Sequence, residues 1–170
     1  MKILVTGGSG FVGYRLCEHF ISGGHDVEYT YLSHDCSIPG AQGKKLDVSE
    51  SKQVSALSVG KYDAIIHCAA LANVDLCEKD HALARRHNVD ATDNMLLLAK
   101  GQDAVFVYVS TSHVFPASAS NRAYTEDDIP SLSLAPNYYG RTKLEGEILV
   151  RGSGIPYLVL RIDQPYYWKK

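Results

Sequence analysis

Three glycines constrain this chain more than any other feature. Gly7, Gly10 and Gly13 follow the apolar run Lys2 to Thr6 and open the segment Phe11 to Ser22, where apolar residues recur at helical spacing. Glycine permits a tight strand-to-helix turn, lets backbone approach a pyrophosphate closely, and lets the helix pack near the strand. Free N–H groups at the helix start attract an anion. The turn, with Phe11 and Val12 between its glycines, is therefore the expected seat of a dinucleotide phosphate. The competing reading is a glycine-rich connection with no ligand, and the flanking strand and helix weigh against it.

The same alternation runs through the rest of the chain. Strand-like runs fall at Lys2 to Thr6, Val27 to Leu32, Lys44 to Leu46, Ala64 to His67, Ala104 to Val109 and Tyr157 to Arg161. Helical stretches fall near Glu50 to Leu57, at Asp75 to Lys100 with a break around Asn88, and at Pro136 to Arg151 with proline in the first turn. Strands alternating with helices predict an α/β chain, a Rossmann doubly wound parallel sheet of order 3-2-1-4-5-6. With 170 residues, 45% of them hydrophobic, one domain over 1–170 is the expectation. The long connection from Pro116 to Ala135 lacks periodicity, and a loop of that length is usually functional or mobile.

Composition excludes some partners. Seventeen Lys and Arg against 19 Asp and Glu give a net charge of -2 with no run of like charges, so nothing draws nucleic acid or an anionic membrane. No apolar stretch approaches the roughly 20 residues that span a bilayer. Cys17, Cys36, Cys68 and Cys77 are unevenly spaced with no CxxC pair and no signal peptide before them, which reads as a reduced, cytoplasmic chain. The seven histidines show no zinc-type spacing, so no metal is expected, and His81 and His87 are read as lying on or near a solvated helix. Glu126, Asp127 and Asp128 read as a solvated acidic group in the long loop.

The second strand ends Tyr29-Thr30-Tyr31-Leu32-Ser33-His34, with Tyr31 where an acid that binds the adenosine ribose of NAD is expected. Without that acid a 2′-phosphate is not repelled, and Ser33 or His34 can donate hydrogen bonds to it. NADP is favoured, with NAD the alternative.

Tyr139 and Lys143 stand four apart, so both project from one helix face. Bringing a tyrosine from a pKa of about 10 to about 7 takes roughly 4 kcal/mol of phenolate stabilisation, part of which an adjacent ammonium can supply. An arbitrary Tyr-x-x-x-Lys is usually an ordinary aromatic and a solvated lysine; its coupling to the glycine turn favours the functional reading. Ser110-Thr111-Ser112-His113 follows the fifth strand at the carboxyl edge, where open parallel sheets place their ligands.

Taken together these segments resemble the extended short-chain dehydrogenase/reductase family, most nearly the dTDP-4-dehydrorhamnose reductases and related nucleotide-sugar epimerases. The marks are Thr6 to Gly13, Leu46-Asp47-Val48, His67-Cys68-Ala69-Ala70, Asn88-Val89-Asp90, Ser110-Thr111 and Pro136 to Lys143. The resemblance implies that Tyr139 donates or accepts the proton, that Lys143 holds the nicotinamide ribose and lowers the tyrosine pKa, and that Thr111 hydrogen-bonds the reacting oxygen. It implies that Asp47 and Val48 flank adenine, that Ala69 and Ala70 pack near the cofactor, and that a keto group of a nucleotide sugar is reduced or epimerised.

Two departures stand out. Rhamnose-type reductases follow the Ser-Thr pair with Asp-Tyr where this chain has Ser112-His113, so these two are the candidate substrate contacts, with packing at the strand end as the other reading of His113. Family members continue for roughly another hundred residues through a C-terminal substrate domain; its absence from this chain admits a non-catalytic, dinucleotide-binding regulatory subunit as the alternative function. The terminal aromatics Tyr166, Tyr167 and Trp168 read as a contact for a second copy or a partner chain.

Overall fold

The computed structural model describes residues 1–34, 36–116 and 123–165 of the chain. Strand β1 (Lys2–Thr6) sits at the centre, and its side chains alternate between two cores. Leu4 joins Ile65, Met95, Phe106 and Tyr108, whereas Ile3 and Val5 join Cys17, Val27 and Ile66. A strand buried on both faces needs apolar residues at successive positions, hence its unbroken apolar run. Helix α1 (Phe11–Ser22) supplies Cys17 to the second core.

Five further strands complete the sheet: β2 (Asp26–Tyr31), β3 (Ala41–Lys45), β4 (Ala64–His67), β5 (Val105–Thr111) and β6 (Tyr157–Ile162). Their order is β3-β2-β1-β4-β5-β6 and every pair is parallel, the doubly wound order expected from the sequence. Strand β3 differs from the expected Lys44 to Leu46, because backbone pairing with β2 recruits Ala41, Gln42 and Gly43, which no run of apolar residues marks. Alternation along β5 and β6 puts Val105, Leu158 and Leu160 on the α1 side of the sheet, where they stand exposed.

The helices depart from the sequence pattern in instructive ways. The expected helix Glu50 to Leu57 is α2 (Ser51–Ser55) followed by a 3₁₀ turn at Ala56–Val59. The long segment breaks at Asp80, not around Asn88, dividing α3 (Val74–Lys79) from α4 (His81–Arg85). Asn73 accepts a hydrogen bond from Leu76 N–H and Asp80 one from Leu83 N–H, both at 2.9 Å, so each starts its own helix. Around Asn88 the chain runs on through a π-helical turn, Arg86–Asp90, into α5 (Ala91–Gln102). Pro136 lies outside the last helix, α6 (Tyr138–Gly152), because Asn137 is its cap and accepts Gly140 N–H at 2.7 Å.

In the long connection, Leu132–Leu134 form a 3₁₀ turn and Tyr124 stacks on Phe115 with ring centroids 4.2 Å apart. Residues 117–122 and the aromatics Tyr166, Tyr167 and Trp168 lie outside the described residues.

Glu147 fastens α6 to the sheet. Its carboxylate is fully buried and accepts from Arg161 Nε at 2.9 Å, Arg161 Nη2 at 2.7 Å and Ser110 Oγ at 2.6 Å. Burial raises its pKa, but the Arg161 and Ser110 hydrogen bonds and the charges of Arg161 and Arg151 outweigh burial and hold the carboxyl below the usual range. Removing the guanidinium leaves the buried carboxylate with only Ser110 and the longer Arg151 contact at 3.4 Å. Arg161→Met should therefore cost about 3–5 kcal/mol in denaturant unfolding at neutral pH. In the parent chain this pair's contribution is present above the ordinary glutamate pKa and is lost on acidification. The variant's deficit should accordingly shrink as pH falls and its Glu147 protonates, which unfolding curves at two pH values would read directly.

Candidate functional site

The turn after β1 is closed by contacts that leave no room for side chains. Gly7 sits at φ +66°, and a Cβ on Gly13 would stand 2.4 Å from the Gly7 carbonyl oxygen. Helix α1 can therefore begin against the end of β1 only because residue 13 is glycine. Its first main-chain bond is Tyr14 N–H to Gly10 C=O at 2.9 Å, no side chain caps the helix, and no acid occupies its first turn. The N–H groups of Phe11, Val12 and Gly13 precede that bond, so the turn suits a phosphate anion.

A groove crosses this turn in two lobes along the carboxyl ends of the strands. The first, about 280 Å³, is lined by Tyr31, Ser33, Asp47, Val48 and Ala69 among others. The second, about 370 Å³, is lined by Phe11, Val12, Thr111, His113, Tyr139 and Lys143 among others. Gly7, Gly10, Cys68 and Ala70 line both, so the lobes adjoin at the glycine turn. Apart from His34, which lines neither lobe, the residues expected to hold cofactor or carry chemistry share one groove. Ser112 does not line it, sitting instead in the 3₁₀ turn Ser112–Val114.

Beneath the groove a buried polar chain joins three strand and helix ends. Thr92 Oγ1 donates to Asn88 C=O at 2.7 Å, so at 3.2 Å from His67 it must accept Nε2–H; His67 Nδ1 then accepts the Thr6 hydroxyl proton at 2.7 Å. Burial, with the Lys143 charge nearby, pushes the His67 pKa down to about 3, in keeping with this neutral tautomer. Asn88 holds Leu71 N–H at 2.7 Å and donates to Thr142 Oγ1 at 2.9 Å, while Thr142 donates to Tyr139 C=O at 2.8 Å. The π-helical turn thereby ties the glycine-bearing strand to the helix that carries Tyr139.

Tyr139 and Lys143 lie one turn apart on α6, as their spacing requires. Their protonation differs from the sequence expectation. Burial pushes the Tyr139 phenol above its ordinary value, opposed by a hydrogen bond from Thr111, so the tyrosine pKa is raised and not lowered. Burial pulls Lys143 down to about 7, against the nearby Cys68 and Glu147. Its ammonium lies 4.0 Å from the Tyr108 ring centroid, a cation–π contact that no local spacing in the sequence announces.

In the other lobe Asp47 takes hydrogen bonds from Ser49 and faces Arg86 at 3.2 Å, and these outweigh burial to hold its carboxyl below the usual range. His87 lines this lobe beside Asp47 and does not merely sit on a solvated helix. His81 is exposed on α4, yet its ring stacks on Tyr138 at 3.6 Å. Sequence reading also missed the roles of Arg86, His67 and Asn137, each of which has a partner 24 or more residues away.

The buried lysine gives a test with a definite sign. A lysine with a folded pKa near 7 against 10.5 unfolded binds fewer protons folded than unfolded between those values. Its burial cost is fully present below about pH 7 and fades as pH rises toward 10.5. Lys143→Met should stabilise the chain by on the order of 3 kcal/mol near neutral pH, with the gain shrinking at alkaline pH, as read by denaturant midpoints.

Residues 1–167 match the family described as the RmlD substrate binding domain. Methionine adenosyltransferase 2 subunit beta of Bos taurus is 31% identical over 171 residues, covering 97% of this chain and 47% of that protein. The dTDP-4-dehydrorhamnose reductase of Mycolicibacterium smegmatis is 31% identical over 166 residues, covering 97% and 46%. The crystal structure of a hypothetical dTDP-4-dehydrorhamnose reductase from Sulfolobus tokodaii superposes with a TM-score of 0.80 at 31% identity, covering 95% of this chain and 55% of that one. The chain thus spans about half the length of the relatives it matches. The match across the chain, the doubly wound order and the groove over the glycine turn agree, and the chain belongs to the extended short-chain dehydrogenase/reductase family, within the RmlD substrate binding domain group.

Proposed function

We propose that this chain is the dinucleotide-binding part of an NADP(H)-dependent reductase or epimerase acting on a keto or hydroxy group of a nucleotide sugar. The observation that carries the reading is the single groove, with a Tyr31–Asp47 lobe and a Thr111–Tyr139–Lys143 lobe meeting at the glycine turn. A dinucleotide fits it, its pyrophosphate over Gly7 to Gly13, adenosine beside Tyr31, Asp47 and Val48, and nicotinamide ribose toward Lys143. When bound, the dinucleotide supplies or accepts hydride.

In that arrangement Tyr139 gives its proton to the substrate oxygen and Thr111 hydrogen-bonds the same oxygen, so that charge developing there meets two placed hydroxyls. A phenol pushed up by burial is fully protonated at neutral pH, as a donor in the reductive direction must be. NADP is favoured over NAD because the adenosine lobe presents Tyr31 and Ser33 where a carboxylate would repel a 2′-phosphate. Four free thiols, two of them buried, suit a reducing, cytoplasmic compartment.

A second reading has its own support. One relative at 31% identity is named as a subunit of methionine adenosyltransferase 2, which supports reading this chain as a subunit that binds dinucleotide in the same groove and carries out no turnover of its own.

Calorimetric titration with NADPH and NADH tests both readings at their root. The expected result is binding of both with NADPH tighter, and a Tyr31→Asp variant that loses about tenfold or more of that preference. Binding of neither removes both readings. Tyr139→Phe separates them: an enzyme should lose about 10²- to 10⁴-fold in turnover while its dinucleotide Kd moves less than about threefold. A binding subunit has no turnover to lose.

A further inference from the structure

The hydrogen bonds of His113 fix which of its ring nitrogens bears the proton. The Asn137 amide cannot be turned round, because Gly140 N–H, a donor only, reaches Asn137 Oδ1 at 2.7 Å. Asn137 Nδ2 is then the atom 3.1 Å from His113 Nδ1, and an amide nitrogen only donates, so Nδ1 accepts. The proton of the neutral ring is left on Nε2. That nitrogen makes no hydrogen bond among the described residues, and no buried side-chain nitrogen or oxygen among them lacks a partner, so Nε2 is open to solvent. The ring lines the Tyr139 lobe, edge-on to Tyr139 at 5.9 Å between centroids, and the His113 main-chain N–H is held by Thr111 Oγ1 at 3.2 Å.

We propose that Asn137, the cap of α6, is a positioning residue that locks His113 as an Nε2–H donor, making His113 the group that reads an uncharged oxygen on the substrate beside the one held by Tyr139 and Thr111. The inference rests on the nucleotide-sugar reading for the identity of that substrate, but the tautomer stands without it. A ring free to exchange tautomers can present either a donor or an acceptor. A locked Nε2–H selects acceptors: a carbonyl, a ring oxygen or a hydroxyl turned to accept. The same cap thus starts the helix that carries Tyr139 and sets the polarity of its neighbour. The titratable groups that share the lobe with the ring are Tyr139, edge-on to it, and Lys143 on α6, Cys68 after β4 and Asp163 after β6.

The test is imidazole nitrogen–proton correlation NMR on the chain at about pH 8, above the ordinary histidine range. The unsubstituted chain should show His113 with its proton on Nε2. Asn137→Asp keeps an oxygen for Gly140 N–H but puts an acceptor opposite Nδ1, so the proton should move to Nδ1. Asn137→Ser also keeps a cap but is too short to hold the ring, and should give a mixture of both tautomers. A parent chain with the proton on Nδ1, or an Asn137→Asp variant that folds and stays Nε2–H, overturns the lock.

For the substrate half, dTDP-glucose added to the chain saturated with NADPH should shift the Nε2–H resonance. A bound dTDP-glucose that leaves that resonance unmoved overturns His113 as the reader. Failure to bind NADPH overturns the dinucleotide reading instead, and it leaves the tautomer result standing.

Discussion

The contact on which the rest of the molecule depends is the approach of α1 to the end of β1, where the Gly13 backbone meets the Gly7 carbonyl with no space for a Cβ between them. That approach puts the open N–H groups of the helix over the carboxyl edge of the sheet and so places an anion site midway along the groove. Strand order does the rest. With β2 on one side of β1 and β4 and β5 on the other, the residues after β2 line one lobe and those after β5 line the other.

Keeping the two lobes in register calls for stiff connections beneath them, and the structure supplies these with buried polar groups. Thr6, His67, Thr92, Asn88 and Thr142 form a chain in which each hydroxyl, amide and imidazole atom named above has a partner, so the π-helical turn at Arg86–Asp90 carries hydrogen bonds between strands and α6. Glu147 and Arg161 fasten the other flank of α6 to β6. Such networks stabilise only when complete, since one missing partner leaves a buried polar group that costs about 1–3 kcal/mol. The helix bearing Tyr139 and Lys143 is thereby held from both sides.

Most of this architecture was legible because it follows from local rules. The apolar runs of β1 and β4 mark strands buried on both faces, and the glycine spacing marks the turn. What escaped was set by partners distant in sequence. Strand β3 is polar and exists through its pairing with β2, and α4 begins at Asp80 through a cap that a helical hydrophobic period does not register. Pro136 pointed to the start of α6, yet the Asn137 cap fixed it two residues further on, at Tyr138.

The site divides along the same line. Four residues between Tyr139 and Lys143 suffice to put both side chains on one helical face, and that part of the chemistry is written in the spacing. Whether a phenol there ionises easily is decided by what covers it, and burial raises Tyr139 while it lowers Lys143. The two effects oppose one another as sources of a phenolate: a lysine pulled down to about 7 offers less positive charge at neutral pH than the solvated ammonium that sequence reasoning assumes. The pair is a protonated phenol beside a lysine poised between charged and neutral. The charge that would make Tyr139 a base has therefore to come from groups that the spacing of Tyr139 and Lys143 alone cannot supply.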